Sequence, residues 1–136
     1  MKAYLTLFIF LVLTACGNDE STFVFRDGAR PTYDRTVSIA EMNNLATQGA
    51  MIIDVRLQED FVNNPELIKG ASYRDPDAIS EWAKGLPNDQ PIIVYCVKGA
   101  WVSQKAATYL RELNLDVYSL SGGLNAWEKA NISSLK

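Results

Sequence analysis

The chain contains no histidine. That absence excludes Cys–His nucleophile pairs, Ser–His–Asp triads and ordinary zinc sites, and with them most hydrolase chemistries. Cysteine is nearly as scarce, with only Cys16 and Cys96 among 136 residues. There is no basic cluster, and the formal charge is −3, so nucleic acid is not expected as a partner. The apolar stretch Tyr4–Leu13 has about ten residues, well short of the roughly 20 that a bilayer-spanning helix needs. Repeats and low-complexity tracts are also missing. What remains, 48% hydrophobic and 21% charged, suits one soluble α/β domain with a single core.

The N-terminus has its own pattern. Met1-Lys2-Ala3 is a short basic start, Tyr4–Leu13 has the size of a signal h-region, and Leu13-Thr14-Ala15-Cys16 resembles the lipobox of bacterial lipoproteins. Residues 1–15 are therefore expected to be a removed signal peptide, with Cys16 diacylated as the new first residue. An uncleaved anchor or a core strand is the plainer alternative. Losing Lys2 makes the balance one charge more acidic and still leaves a chain able to bury roughly two-thirds of its unfolded surface. Two acyl chains give stable attachment, since each buried methylene contributes about 0.8 kcal/mol. Residues 16–35 read as a lipidated tether and linker, with a possible edge strand at Phe23–Arg26, and residues 36–136 as the domain. The expected location is the cell envelope, facing the periplasm, attached through lipid alone. Gly17 after Cys16 resembles lipoproteins of the outer membrane if the source is Gram-negative. With Cys16 on lipid, Cys96 has no disulfide partner, and a lone thiol in an oxidising envelope is a liability unless used or buried.

Cys96 stands at the most informative junction. The apolar run Pro91–Tyr95 ends at it, Val97-Lys98-Gly99-Ala100-Trp101-Val102 follows, and a helical pattern begins at Ser103-Gln104-Lys105-Ala106-Ala107. Met51–Val55 and Ile92–Tyr95 are apolar without alternation, as in strands of a parallel sheet covered on both faces. Ser38–Glu41 matches a capping box ahead of a helix that ends near Gln48-Gly49. Short helices are expected over Leu57–Phe61 and from Asp75-Pro76 to about Lys84, a short strand near Ser72-Tyr73, another over Leu115–Leu120, and a last helix after Gly122-Gly123. Strands alternating with helices imply right-handed crossovers and a ligand site beyond the strands' carboxyl ends, where Cys96 lies.

Five features in order, Ile53-Asp54-Val55-Arg56, the Pro91–Tyr95 strand into Cys96, Gly99, Ala106-Ala107 with Leu110, and Leu120-Ser121-Gly122-Gly123-Leu124-Asn125-Ala126-Trp127, resemble a single-domain rhodanese over about Thr36–Lys129. The resemblance implies a rhodanese-like fold, a five-stranded parallel sheet sandwiched by helices, and sulfur transfer through a cysteine persulfide, with no metal or cofactor. Two departures stand out. Ser103 comes one position later than the helix-starting Ser or Thr of the familiar loop, and Trp101-Val102 occupy the place where arginine is expected. Glu66-Leu67-Ile68-Lys69-Gly70-Ala71 also lacks the histidine that many relatives carry there.

The expected nucleophile is the Cys96 thiolate. An ordinary thiol is only a few per cent ionised at neutral pH, so its surroundings must favour the anion. A helix end contributes on the order of 0.3–2 kcal/mol and each charge-assisted N–H bond about 1.5–3 kcal/mol, so the loop amides carry most of the burden. Val97, Lys98, Gly99, Ala100, Trp101, Val102 and Ser103 are the expected substrate-binding residues. Lys98 would attract a small anionic sulfur donor such as thiosulfate, Trp101 would shape the mouth, and a thiol or cyanide would accept the sulfur. Asp54 and Arg56 read as an ion pair supporting the sheet end. The bland readings are a small buried cysteine, a solvated Lys98, a packing Trp101, a core Trp127 and plain turn geometry at Gly122-Gly123. Competing functions are a lipid-anchored sulfur carrier without turnover, and a phosphatase or arsenate reductase relative. The latter needs an arginine and a leaving-group acid, neither evident in the sequence. A monomer is expected.

Overall fold

A computed structural model describes residues 34–134. The signal peptide, the Cys16 lipidation site, most of the tether and the strand expected at Phe23–Arg26 lie outside the described residues. The elements are β1 (Thr36–Val37), α1 (Ile39–Thr47), β2 (Met51–Asp54), α2 (Gln58–Asn63), β3 (Ala71–Tyr73), α3 (Ile79–Trp82) between the 3-10 turns Pro76–Ala78 and Ala83–Gly85, β4 (Ile92–Tyr95), α4 (Trp101–Glu112), β5 (Val117–Leu120) and α5 (Gly123–Ser134). The five strands form one parallel sheet in the order β1-β5-β4-β2-β3.

The absence of alternation in the central strands has the expected cause. Along β4, Ile92 and Val94 pack into the cluster holding Ile79 of α3, Ala83 of the 3-10 turn after it, and Ala106, Ala107 and Leu110 of α4. Ile93 and Tyr95 point the other way, to Met42 of α1, Ile68, Leu120 and Leu124 of α5. All four β4 residues have no exposed surface. With both faces covered, both parities take apolar side chains, and a buried polar group there needs a partner, as the Tyr95 hydroxyl has in the Ile68 amide.

Helix ends follow local chemistry where the sequence supplies it. Ser38 caps α1, its Oγ accepting from the Glu41 amide at 3.3 Å while Glu41 Oε2 accepts from the Ser38 amide at 2.7 Å. At α4 the chain gives no such signal. Ala100 is the N-cap, with no side-chain cap, and the helix starts at Trp101 rather than at Ser103, two residues before the first hydroxyl. Asn114, at φ 62°, takes the left-handed conformation that terminates α4. Strand β1, Thr36–Val37, has no signal in the sequence. It pairs with Ser119 and Leu120 at the far end of the sequence, and two residues carry no readable period. Among the described residues, no helix is long and apolar enough to cross a membrane.

Candidate active site

β4 delivers Cys96 to the carboxyl edge of the sheet, between β2 and β5. The thiol is free and 5% exposed. It forms part of a cavity of about 280 Å³ lined by Asp60, Cys96, Val97, Lys98, Ala100, Trp101 and Val102. Trp101 and Val102, expected in the loop, belong to the first turn of α4 and still line the cavity. Gly99 and Ser103, expected to meet substrate, are placed elsewhere: Gly99 against the β5–α5 turn, Ser103 beneath the sulfur with no exposed surface.

Among the described residues, the amide N–H groups of Val97, Lys98, Gly99, Ala100, Val102 and Ser103 donate to no acceptor. Unused amides beside an uncapped helix start favour an anion. Below them the sulfur is held by a buried polar array. Cys96 Sγ donates to Ser103 Oγ at 3.3 Å, Ser103 Oγ lies 3.4 Å from Ser119 Oγ, and Gln104 Nε2 donates to Ser119 Oγ at 3.0 Å. A serine hydroxyl both accepts and donates, so Ser103 can take the thiol proton's bond or donate to the thiolate. This array joins α4 to β5, and no local pattern discloses it.

The loop is seated by two glycines. A Cβ on Gly99 (φ +66°) would lie 2.5 Å from Leu120 O and 2.6 Å from Gly122 N, and one on Gly123 (φ +57°) would lie 2.3 Å from Cys96 O and 2.8 Å from Val97 O. Backbone against backbone at that range leaves no room for a side chain. The contact is also a hydrogen-bonded joint, since the Leu124 amide donates to Cys96 O at 2.9 Å and the Asn125 amide to Val97 O at 3.0 Å. The first N–H groups of α5, orphans in any helix, are thereby satisfied by the cysteine loop itself.

Asp54 and Arg56 support the neighbouring edge as a buried ion pair, 0% and 1% exposed, with Arg56 Nη2 to Asp54 Oδ2 at 2.6 Å. Arg56 Nε bridges both Asp54 oxygens at 3.0 and 2.9 Å. The guanidinium also donates to Asn64 O at 2.7 Å and Glu66 O at 2.8 Å, fixing the chain after α2. Burial disfavours its charge, but the Asp54 hydrogen bonds and charge outweigh that and leave Arg56 above its ordinary value. Tyr95 is pushed up by burial, and its hydroxyl accepts from the Ile68 amide at 3.2 Å.

Asp60 is the lining residue that sequence reasoning missed. α2 is docked by Phe61, whose ring stacks on Tyr73 with centroids 4.0 Å apart and lies 5.4 Å from the Arg56 guanidinium. That docking turns the preceding residue, Asp60, toward the cavity. An acid therefore stands where none was expected. An arginine does not: Lys98 is the cationic side chain of the cavity lining.

The rhodanese-like domain family matches residues 38–130. The chain belongs to that family. Curated relatives include thiosulfate sulfurtransferase GlpE of Pseudomonas fluorescens, 38% identical over 94 residues in one strain, covering 66% of this chain and 84% of the relative. In another strain the identity is 37% over 84 residues, covering 61% and 74%. A rhodanese homologue from Thermus thermophilus superposes with a TM-score of 0.56 at 33% identity, covering 68% of this chain and 99% of its own. A rhodanese-related protein from Thermoplasma volcanium gives 0.61 at 22%, covering 71% and 92%, and shows the fold. The chain is a sulfurtransferase-like enzyme.

Proposed function

We propose that this rhodanese moves sulfane sulfur from a small donor, thiosulfate being the simplest, to a thiol or cyanide through a Cys96 persulfide. The observation that carries the reading is the thiol at a strand end, in a cavity whose surrounding loop amides are unengaged. The Cys96 thiolate attacks the outer sulfur of thiosulfate. A sulfur–sulfur bond to Cys96 forms, the bond between the outer sulfur and the sulfonate breaks, and sulfite leaves with the electron pair. Cyanide then attacks the terminal persulfide sulfur, giving thiocyanate and restoring the thiolate. Loop N–H groups stabilise the sulfur anion at each stage without rearranging.

The arsenate reductase or phosphatase reading gains an acid in Asp60 but still lacks an arginine to grip three equatorial oxygens. A carrier without turnover is separated by kinetics. Cys96→Ser abolishes thiocyanate formation under the proposal, and a variant as active as the wild type overturns it. Sulfur uptake without thiocyanate release assigns the carrier role instead. The proposal includes attachment at the envelope, a reading supported by the h-region-like Tyr4–Leu13 and the lipobox-like Leu13-Thr14-Ala15-Cys16.

A further inference from the structure

The cavity has a charge pattern that a simple inorganic dianion does not match. Lys98 is exposed and Asp60 half-buried, both line the chamber that holds Cys96, and neither side chain has an ion-pair or hydrogen-bond partner among the described residues. Arg56 feels the charge of Asp60, but Arg56 is already claimed by Asp54 through three short contacts. One cation and one anion, neither held in an ion pair among the described residues, therefore line the same small space. Thiosulfate, with two negative charges, is drawn by Lys98 and repelled by Asp60.

The walls point the same way. Val97, Ala100, Trp101 and Val102 give the chamber carbon surface on several sides, which an inorganic oxyanion cannot use and an organic skeleton can. The volume, about 280 Å³, lies just below the range of roughly 300–1,000 Å³ typical of drug-sized ligands. It suits a small organic molecule.

Resting on the sulfurtransferase reading above, we infer that the preferred donor is a small zwitterionic persulfide of the amino-acid type. Its ammonium pairs with Asp60, its carboxylate with Lys98, and its outer sulfur meets Cys96. The Cys96 thiolate attacks the outer sulfur of R–S–SH. The bond from Cys96 to that sulfur forms, the R–S–S bond breaks, and R–S⁻ leaves with the electron pair and takes a proton from water. The products are the Cys96 persulfide and the free amino thiol, with no net oxidation. Asp60 is a specificity-determining residue in this account.

The test compares cysteine persulfide with 3-mercaptopropionate persulfide, which keeps the carboxylate and lacks the ammonium, and with thiosulfate, using cyanide as common acceptor. The wild type is expected to favour the amino-bearing persulfide by about tenfold in kcat/KM, the scale of one partly solvated charge pair. Asp60→Asn should bring the two persulfides to within about twofold and raise kcat/KM for thiosulfate several-fold through KM. Asp60→Ser, of similar polarity and smaller volume, should behave alike and guards against a local packing effect of asparagine. A wild type indifferent to the ammonium, or Asp60 variants that keep the wild-type preference, would overturn the inference. Turnover by Cys96→Ser with any donor would instead sink the sulfurtransferase reading, so the two failures are distinct.

Discussion

Substitution of Gly123 by alanine tests whether the β5–α5 turn sets the geometry of the cysteine loop. The residue sits at φ +57°, and the added Cβ would stand 2.3 Å from Cys96 O and 2.6 Å from Gly99 N. Forcing a left-handed conformation on alanine costs about 1–2 kcal/mol, and overpacking a filled site typically costs about 1–3 kcal/mol more. A domain of ordinary stability, about 5–15 kcal/mol, stays folded at 25 °C after such a loss of about 2–5 kcal/mol unless it lies at the bottom of that range. The activity effect should be disproportionate. The clashing atoms are carbonyl oxygens and amides of the loop, and displacing a reacting group by about 1 Å can cost on the order of 10²-fold. Gly49→Ala is the matched control, with φ +94° and nothing within 4 Å of its Cβ. It should lose about 1–2 kcal/mol from strain alone and keep full kcat/KM. Urea denaturation and thiocyanate formation measured on both variants decide the matter. A Gly123→Ala enzyme with wild-type kcat/KM would refute the coupling of turn to loop.

Asp54→Ala strands the buried Arg56 cation and should cost about 3–5 kcal/mol, whereas replacing both partners with apolar residues costs less in urea denaturation; equal losses would contradict the buried-pair account. Tyr73 has a buried hydroxyl with no partner, so Tyr73→Phe should be neutral or stabilise by about 1 kcal/mol. Burial pushes this phenol up to about 12 from its ordinary 10, so the folded state favours the protonated form. The stability linked to it is complete below pH 10 and is lost as the pH rises toward 12, so this alkaline loss should be seen in the wild type and be missing from Tyr73→Phe; identical alkaline curves would contradict this. Cys16→Ser should abolish incorporation of labelled palmitate and release the chain from the membrane fraction, and retention there would contradict lipid anchoring.

Much of the site is legible in sequence because it is local. The β4 run into Cys96 declares a strand end, Ser38 and Glu41 declare a helix start within four residues, and Asp54 and Arg56, two apart, form the expected ion pair. What escaped is long-range or unsignalled. Thr36–Val37 becomes a strand only by pairing with β5. Ser119 reaches Ser103 and Gln104 across sixteen and fifteen residues, and a lone serine in a strand gives no hint of it. Asp60 enters the cavity because Phe61 docks α2 on Tyr73, a contact between elements. Gly122-Gly123 read as turn geometry; the structure adds that Gly123 must be bare because Cys96 O occupies its Cβ position. Helix α4 begins at Trp101 with no side-chain cap at Ala100, so no capping residue in the sequence marks its start.

The measurement that bears most directly on the account is the mass of the intact protein after incubation with thiosulfate, followed by peptide mapping and then cyanide. The account predicts a gain of one sulfur atom, confined to the peptide holding Cys96 and removed by cyanide in step with thiocyanate formation. A protein that forms thiocyanate while Cys96 never gains sulfur would contradict it.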